Sequence, residues 1–425
     1  MPRLCPRLSL SGLAASLAVL VTACTLDPAG VNDGDDPSRP DGPLAADASI
    51  TRDAPAAPDA PVLPPEVAAA LDLPAMPYPY DDALPAHFAN ARRQDNTPTG
   101  NPITSAGATL GRVLFYDRAL SRSGTVACAS CHHQANGFAD PTRFSTGFAG
   151  GQTTRNAMTI VDARYYLPGT FFWDERAASL EAQVLMPIQN PVEMGLTLDE
   201  LVANVSARAY YPYLFQQAFG DTVVTSDRIA RALAQFVRAA VSYRSRYDAG
   251  IEAAGDIART FPNFTASEAR GKALFLGRAR CATCHLDAPP APGPRLNQAI
   301  FLIDRAVNNG LDATTTVADV GVGGITGVAT DLGRFKSPSL RNVAVTAPYM
   351  HDGRLATLDD VIDHYSTGIQ AHPNLDPRLR VPGTGAPIRL DLSATEHADL
   401  KAFLGTLTDD ALLADVRFAD PFRAP

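Results

Sequence analysis

The sequences CASCH at residues 128–132 and CATCH at residues 281–285 decide the fold of this chain. In both, two cysteines separated by two residues are followed directly by a histidine. This pattern attaches a c-type haem, because the two thiols form thioethers to its vinyl groups and the adjacent histidine reaches the iron. The sequence therefore predicts two covalent haems, one held by Cys128, Cys131 and His132 and the other by Cys281, Cys284 and His285.

Two other chemistries use cysteine pairs of this spacing. A zinc site can combine two such pairs, but zinc ribbons usually place them about 15–20 residues apart. Here the pairs are separated by about 150 residues. A thioredoxin-like redox pair needs one motif in a βαβ context, whereas this chain has two motifs without that context. Haem attachment accounts for the sequence better than either.

The residues around the two motifs repeat and predict helices. Gly-Arg-Val-Leu-Phe at 111–115 precedes the first motif, and Gly-Lys-Ala-Leu-Phe at 271–275 precedes the second. We expect each to lie near the end of a short helix that packs on its haem. Apolar residues at helical spacing predict an amphipathic helix over 227–246. Capping boxes begin two more helices, at Thr265 and Ser393.

Strand signals are sparse, and long loops rich in glycine and proline separate the predicted helices. We therefore predict an all-α, loop-rich fold of two cytochrome c-like domains, each with one covalent haem. The first domain is expected over 100–250 and the second over 251–415, after an N-terminal extension at 66–99.

The N-terminal residues predict export and a lipid anchor. Residues 1–23 have the basic start and short apolar run of a signal peptide, and Val-Thr-Ala before Cys24 resembles a bacterial lipobox. Cleavage there would leave Cys24 lipidated, in a periplasmic protein held on a membrane. The alternative is an ordinary signal peptide with an incidental cysteine. Residues 24–65 are rich in proline, alanine and aspartate and predict a disordered tether.

Overall charge excludes one class of partner. The chain of 425 residues has 36 Lys and Arg against 45 Asp and Glu, a net charge of -9, and no basic run. Nucleic-acid binding needs a positive surface, so we expect no nucleic-acid partner.

Three long segments, Leu110–His132, Phe172–Gly195 and Asp331–Gly353, resemble the bacterial dihaem cytochrome c peroxidases and their MauG-type relatives. The resemblance covers about 100–410. It implies a peroxidatic haem, a second haem that takes electrons from a donor, and a calcium ion between two domains. For calcium it implies the Asn156 side chain and the carbonyls of Thr346 and Pro348, in keeping with the preference of calcium for oxygen.

The resemblance places the peroxidatic iron on His132. Many relatives block this iron with a loop histidine, at the position that Phe148 occupies here. Phenylalanine cannot bind iron, so we expect a five-coordinate iron that is open to peroxide without prior reduction. Met158, Met186 and Met194 could cap this iron instead, but each is expected to be a core residue. His133, beside the ligand, is expected to be a surface or supporting residue.

Catalytic side chains are also implied by the resemblance. Glu193 matches the distal acid that moves a proton between the two peroxide oxygens, and Gln183 matches its neighbouring amide. Glu175 and Glu181 are expected to be surface charges. Trp173 matches the tryptophan between the two haems, although a single tryptophan can also be ordinary core.

The resemblance places the second iron on His285, with Tyr365 as its distal ligand, as in MauG-type members. A phenolate lowers the potential of the iron, whereas methionine raises it. His364 and Met350 remain alternative ligands. Two further histidines are expected on the surface: His372 and His397.

These residues predict a dihaem peroxidase that reduces hydrogen peroxide to water with electrons from a small cytochrome c or cupredoxin. The main alternative is a MauG-type oxidase that acts on residues of a protein partner through high-valent iron, which Phe148 and Tyr365 favour. A non-enzymatic electron-transfer cytochrome is the third, and the open first iron and Glu193 argue against it.

Overall fold

The computed structural model describes residues 62–286, 298–315 and 318–423. They belong to a compact unit that spans Ala60–Pro425. The predicted signal peptide, Cys24 and nearly all of the predicted tether lie outside the described residues. Within them, no helix is long and apolar enough to cross a membrane.

The predicted helical fold class is confirmed. In the ranges that the structure describes, extended segments pair only as isolated β-bridges. The α-helices are α1 Pro65–Ala70, α2 Ser105–Tyr116, α3 Leu180–Gln189, α4 Leu198–Ser206, α5 Tyr211–Phe219, α6 Ser226–Ala239, α7 Arg246–Ala254, α8 Ala266–Leu276, α9 Ala282–His285, α10 Gly323–Thr326, α11 Leu358–Asp363, α12 Ala394–Gly405 and α13 Asp410–Leu413. Short 3₁₀ turns join them, at Ala86–Phe88, Ala91–Gln94, Arg118–Leu120, Cys128–Ser130, Gln134–Asn136, Ala163–Tyr165, Ala329–Asp331, Val343–Val345 and Pro377–Leu379, and a π-helical turn covers His364–Gly368.

The repeated glycines lie where two helices cross closely. A Cβ atom on Gly111 of α2 would lie 2.0 Å from the carbonyl oxygen of Ala232 in α6. A Cβ atom on Gly271 of α8 would lie 1.9 Å from the carbonyl oxygen of Asp399 in α12. Only glycine allows either crossing, because any side chain would overlap the backbone of the partner helix. The internal repeat therefore encodes the same helix pair twice.

The repeated phenylalanines connect each helix pair to its haem motif. The Phe115 ring lies 6.4 Å from the His132 ring at an angle of 40°. The Phe275 ring lies 6.4 Å from the His285 ring, again at 40°. Each phenylalanine sits at the end of its helix, as expected. Each pair contributes to its own hydrophobic cluster, one around the first motif and one around the second.

Helix α6 ends at Ala239, seven residues before its predicted end at 246. The backbone N–H of Ser242 donates to Asp162 Oδ1 at 3.0 Å. The backbone N–H groups of Tyr243 and Arg244 both donate to Asp409 Oδ2 at 2.9 Å. Distant carboxylates therefore replace the helical carbonyls, and the chain continues in an extended form. The predicted capping boxes at Thr265 and Ser393 are both present.

Both ends of the described chain pack on the first cluster. Val67 and Leu71 from α1 and the following residue belong to it, and so do Leu412 and Phe418 from the C-terminal segment. The backbone N–H of Asp72 donates to the carbonyl oxygen of Pro421 at 2.7 Å. The first cluster is thus completed by residues about 300 positions downstream.

Candidate functional site

The first haem motif opens into a cavity of about 500 Å³, which we call the first-motif cavity. A cavity of this size is in the range of small-molecule and cofactor sites. It brings together side chains that are distant in sequence, and those predicted to act here are Cys128, Cys131, His132, Asn156, Trp173, Gln183 and Glu193. Much of the remaining wall is apolar, formed by Phe115, Val126, Leu180, Val184, Leu233 and Val237.

His132 is oriented by the backbone that follows it. Its Nδ1 lies 2.9 Å from the carbonyl oxygen of Phe138, which adopts a left-handed backbone with φ of 59°. Burial lowers the pKa of His132, so the imidazole is held neutral. A neutral imidazole that donates through Nδ1 presents Nε2 to a metal.

The adjacent cysteines suit thioether attachment. Cys128 and Cys131 are both free thiols, and both line the first-motif cavity together with His132. Burial raises the pKa of Cys128 to about 12. Two neutral thiols, an imidazole with one free ring nitrogen and an apolar wall fit a c-type haem.

The second motif repeats this arrangement. His285 ends helix α9, and its Nδ1 lies 3.3 Å from the carbonyl oxygen of Phe301. Burial lowers the pKa of His285 to about 4. Cys281 and Cys284 are free thiols, and burial raises the pKa of Cys281 to about 12. These residues fit a second c-type haem for the same reasons.

Tyr365 faces the second motif from a π-helical turn, a local widening that often occurs at functional sites. Burial raises the pKa of Tyr365 to about 12. The phenol lies close enough to Cys284 and Cys281 for a negative charge on either thiol to raise this pKa as well. The side-chain amide of Asn309 is 3.4 Å from Tyr365 Oη and 3.4 Å from Met350 Sδ. Two of the three candidate ligands, Tyr365 and Met350, therefore lie beside the same amide group.

The third candidate ligand is engaged elsewhere. The Nε2 atom of His364 lies 3.2 Å from the carbonyl oxygen of Asn309, and the side chain is buried. This contact occupies one of the two ring nitrogens through which His364 could bind iron. Among the candidates, the geometry favours Tyr365 and Met350 over His364.

Glu193 is half-buried in the wall of the first-motif cavity. Asn190 Nδ2 donates to its Oε1 at 3.0 Å, so a neighbour fixes the carboxyl group. Burial raises the pKa of Glu193, and the positive charge of Arg176 partly opposes that rise. Gln183, on α3, lines the same cavity. A carboxyl group with a raised pKa beside an amide is suited to both accepting and returning a proton.

Phe148 does not point into the cavity. Its ring packs against Gly195, where a Cβ atom would lie 2.4 Å from the ring. The cavity wall beside it is formed by Ser145, Thr146 and Gly147. Of the three methionines, Met158 and Met194 line the cavity. Met186 is 36% exposed, so the expectation of a core residue is wrong there.

Trp173 joins the two halves of the structure. Its indole Nε1 donates to the carbonyl oxygen of Asn156 at 2.8 Å, and its own carbonyl accepts from the Lys336 N–H at 2.8 Å. The ring of His351, from the HDG sequence, lies 6.4 Å away in an edge-to-face contact. Trp173 is therefore fixed by residues from both sides of the predicted domain boundary.

The calcium prediction rests on Asn156, which is buried. Its Nδ2 donates to the carbonyl oxygens of Thr142 at 2.9 Å and Asp140 at 3.3 Å, so Oδ1 is the atom available to a cation. Among the described residues, no three His, Cys, Asp or Glu side chains form a group that could hold a metal ion. The predicted ligands are an amide and two backbone carbonyls, and calcium stays a prediction.

Three expected surface residues are interior or paired. Glu181 receives two hydrogen bonds from the buried Arg238, at 2.6 and 3.0 Å. Glu175 accepts a hydrogen bond from the buried Tyr166. His372 is 4% exposed. The prediction was wrong for these residues because a charge in a sequence gives no sign of a partner that the fold supplies.

Sequence reasoning missed several polar residues of the first-motif cavity. Arg176 lies 3.6 Å over the Phe172 ring and bonds Asp174 at 2.9 Å. Burial lowers the pKa of Lys336 to about 8, and it raises the pKa of Asp162 to about 7. Lys336 stands inside the DLGRFKSPSLRN sequence, and its position in so long a motif was the signal that could have found it.

Comparisons with known proteins agree with this geometry. Residues 105–256 match the family described as di-haem cytochrome c peroxidase. The chain is 36% identical over 331 residues to the methylamine utilization protein MauG of Methylorubrum extorquens, covering 76% of this chain and 84% of that protein. It is 34% identical over 309 residues to the cytochrome c551 peroxidase of Nitrosomonas europaea, covering 73% of this chain and 82% of that protein.

A solved structure is similar as well. The crystal structure of a MauG-like protein associated with microbial copper homeostasis matches with a TM-score of 0.67 and 35% sequence identity. The match covers 80% of this chain and 99% of that chain. Peroxidases and MauG proteins thus lie at similar distances from this sequence. The chain belongs to the family of di-haem cytochrome c peroxidases and MauG proteins, which implies two c-type haems.

Proposed function

We propose that this protein reduces hydrogen peroxide to water at the first haem, with electrons that enter through the second. One observation carries the proposal: Glu193 and Gln183 share a cavity with His132, and burial raises the pKa of Glu193. An electron-transfer cytochrome has no need of a proton-transferring carboxyl group at a haem. A peroxidase needs one to move a proton from the near oxygen of peroxide to the leaving oxygen.

Each side chain has a role in this proposal. Glu193 accepts the first peroxide proton and returns it, while Asn190 keeps the carboxyl group in place. Gln183 holds peroxide or water by hydrogen bonds. The bound haem supplies the electrons for cleavage of the O–O bond. Because the Phe148 side chain cannot bind iron, the oxidised enzyme reacts with peroxide without prior reduction.

Electron supply completes the proposal. Trp173 provides the path between the haems, because it lies in the first-motif cavity and contacts His351 of the second half. The donor is a small cytochrome c or a cupredoxin. We further propose a periplasmic lipoprotein anchored through Cys24, and a calcium ion bound by the Asn156 side chain and the carbonyls of Thr346 and Pro348.

A second candidate function is MauG-type oxidation of residues in a protein partner. Tyr365 favours it, because a phenolate bound to the second iron would lower the potential of that iron and disfavour electron entry from a high-potential donor. A second haem held by His285 and Tyr365 would be able to share the oxidising equivalents that peroxide leaves at the first. The MauG relative at 36% identity supports this candidate as much as the peroxidase at 34% identity supports the other.

Steady-state peroxide reduction with reduced cytochrome c or cupredoxin tests the first proposal. The purified protein should carry two covalent haems by pyridine haemochrome assay. Because general acid–base groups typically contribute about 10²–10⁴-fold, Glu193→Gln should lower turnover by that much while both haem spectra remain. Glu252→Gln, at an exposed position, is the matched control. Peroxide that oxidises the haems without turnover with either donor would favour the MauG-type function instead.

A further inference from the structure

Tyr166 is a buried tyrosine in the first-motif cavity that the proposed chemistry has not used. Its side chain is 0% exposed, and it lines the cavity together with Trp173 and Glu193. Its hydroxyl donates a hydrogen bond to the carboxylate of Glu175. Burial and the negative charge of Glu175 raise the pKa of Tyr166, so the phenol keeps its proton.

Glu175 reaches Tyr166 through an unusual backbone. It has φ of 58°, and Phe172 in the same loop has φ of 70°. Left-handed backbone is unfavourable for a residue other than glycine, because its Cβ atom approaches the following carbonyl oxygen. Strain of this kind persists where surrounding structure imposes it, and it clusters at functional sites. Here the loop is closed by the bridge between Phe171 and Ala177 and presents Trp173 and Glu175 together.

The positively charged side chain of Lys336 also lies against Tyr166. The Nζ atom of Lys336 lies 4.2 Å from the centre of the Tyr166 ring, and the Lys336 side chain is buried. The backbone N–H of Lys336 donates to the carbonyl oxygen of Trp173 at 2.8 Å. The negative charge of Glu175 raises the pKa of Lys336 and so partly opposes the lowering that burial causes.

Tyr166 and Trp173, two aromatic residues that line the first-motif cavity, donate their hydrogen bonds to different kinds of acceptor. The indole N–H of Trp173 donates to the carbonyl oxygen of Asn156, which is too weak a base to take a proton. The hydroxyl of Tyr166 donates to a carboxylate, which can take one. A phenol that loses an electron becomes a strong acid and must release its proton. Tyr166 has the acceptor that this step requires, and Trp173 does not.

We propose that Tyr166 is a redox-active tyrosine that gives one electron to the first haem after peroxide has oxidised that haem. The O–H bond of Tyr166 breaks, its proton moves to the Glu175 carboxylate, and its electron goes to the oxidised haem, which leaves a neutral tyrosyl radical. An electron from the external donor and the proton on Glu175 later restore the phenol. The proposal rests on the proposed reaction with peroxide.

The test is rapid-freeze electron paramagnetic resonance of the holoenzyme mixed with one equivalent of hydrogen peroxide. Protein labelled with ring-deuterated tyrosine identifies a tyrosyl signal by its narrowed hyperfine pattern. We expect the signal in the wild type and its loss in Tyr166→Phe. Tyr116→Phe is the matched control, because Tyr116 is also an interior tyrosine but donates to the backbone carbonyl of Phe418, at 2.7 Å, rather than to a carboxylate. This variant should keep the signal.

Glu175→Gln tests the proton acceptor. Glutamine keeps a hydrogen-bond acceptor for Tyr166 but cannot take the proton. Since a positioned base contributes about 10²–10⁴-fold to proton transfer, the radical yield should fall by at least about tenfold. Haem absorbance establishes that each variant is loaded and reacts with peroxide.

Three results would overturn the proposal. One is a tyrosyl signal that survives in Tyr166→Phe, and another is an undiminished signal in Glu175→Gln. The third is a wild type whose haem absorbance responds to peroxide but which forms no tyrosyl radical. In all three the reaction with peroxide stands. A wild type whose haem absorbance does not respond to peroxide at all removes the proposed function together with this inference.

Discussion

The backbone N–H of Phe148 donates a hydrogen bond of 3.0 Å to the carbonyl oxygen of Glu193. This bond ties the loop after the first haem motif to the segment that carries the proposed distal acid. Gly147, next to Phe148, lies so close to this segment that a Cβ atom there would be 1.6 Å from the carbonyl oxygen of Val192. The position of the Glu193 carboxyl group therefore depends on a loop about 45 residues earlier in the chain.

Gly147→Ala should displace the loop that carries Glu193. Because a misplacement of about 1 Å can cost about 10²-fold in rate, peroxide turnover should fall by about that factor while haem content is unchanged. Gly151→Ala is the control in the same loop, since a Cβ atom there would lie 3.4 Å from a Val192 methyl group. Stopped-flow measurement of peroxide binding gives the rates. Equal rates in both variants would show that the loop contact does not position the acid.

The pH dependence of the peroxide reaction should report Glu193. The ionised carboxylate is the form that accepts the first proton, so the rate should fall as pH drops through its pKa. Burial raises that pKa, and the acid limb should therefore lie above the ordinary glutamate value of 4.5. Glu193→Gln should lose the limb altogether. An identical limb in the variant would assign the titration to another group.

Tyr365→Met should raise the potential of the second haem, because methionine stabilises reduced iron and phenolate stabilises oxidised iron. The ferric spectrum should change as well. Met350→Leu is the matched control, since Met350 meets the same Asn309 amide at 3.4 Å. Spectroelectrochemistry measures both variants. A potential that moves in Met350→Leu and stays fixed in Tyr365→Met would make Met350 the ligand.

Asp162→Asn should remove a pH dependence of stability. Burial raises the pKa of Asp162 from 3.8 to about 7, so the folded protein holds a proton that the unfolded chain releases between these values. The stabilisation is complete below the lower value and is lost as pH rises through the upper one, with a slope of at most about 1.4 kcal/mol per pH unit.

Urea unfolding at several pH values between about 3 and 8, a range that spans both pKa values, measures this pH dependence of stability. Asparagine keeps the oxygen that accepts from the Ser242 N–H, and it tolerates the left-handed backbone of Asp162, φ 61°. Asp227→Asn, at an exposed position of α6, should leave the pH dependence as it is. Parallel curves for the wild type and Asp162→Asn would place the proton elsewhere.

Local signals predicted the parts of the fold that depend on neighbouring residues. The capping boxes at Thr265 and Ser393 span only four residues each, and the repeated Gly111 and Gly271 marked their two helix pairs. The position at which α6 ends could not be predicted from local signals. It depends on Asp162 and Asp409, whose carboxylates come from far along the chain in both directions.

The candidate site shows the same difference between features set by local sequence and features set by distant contacts. The motif residues were identifiable by type and spacing, and His132, Gln183 and Glu193 do meet in one cavity. The direction of the Phe148 ring could not be predicted, because it depends on contact with Gly195. The pairing of Tyr166 with Glu175 could not be predicted either, since it needs a backbone conformation that glutamate seldom adopts.

The C-terminal segment of the described chain has a consequence for how the protein is made. The Tyr116 hydroxyl and the Arg112 side chain bond the carbonyl oxygens of Phe418 and Ala419, at 2.7 and 2.6 Å. Contacts between such distant residues form slowly, and synthesis proceeds from the N-terminus. The first haem motif is therefore enclosed only after the C-terminal segment has been made. Loss of a few C-terminal residues would therefore destabilise the site of the first haem motif, which lies farther from them in the sequence than the second.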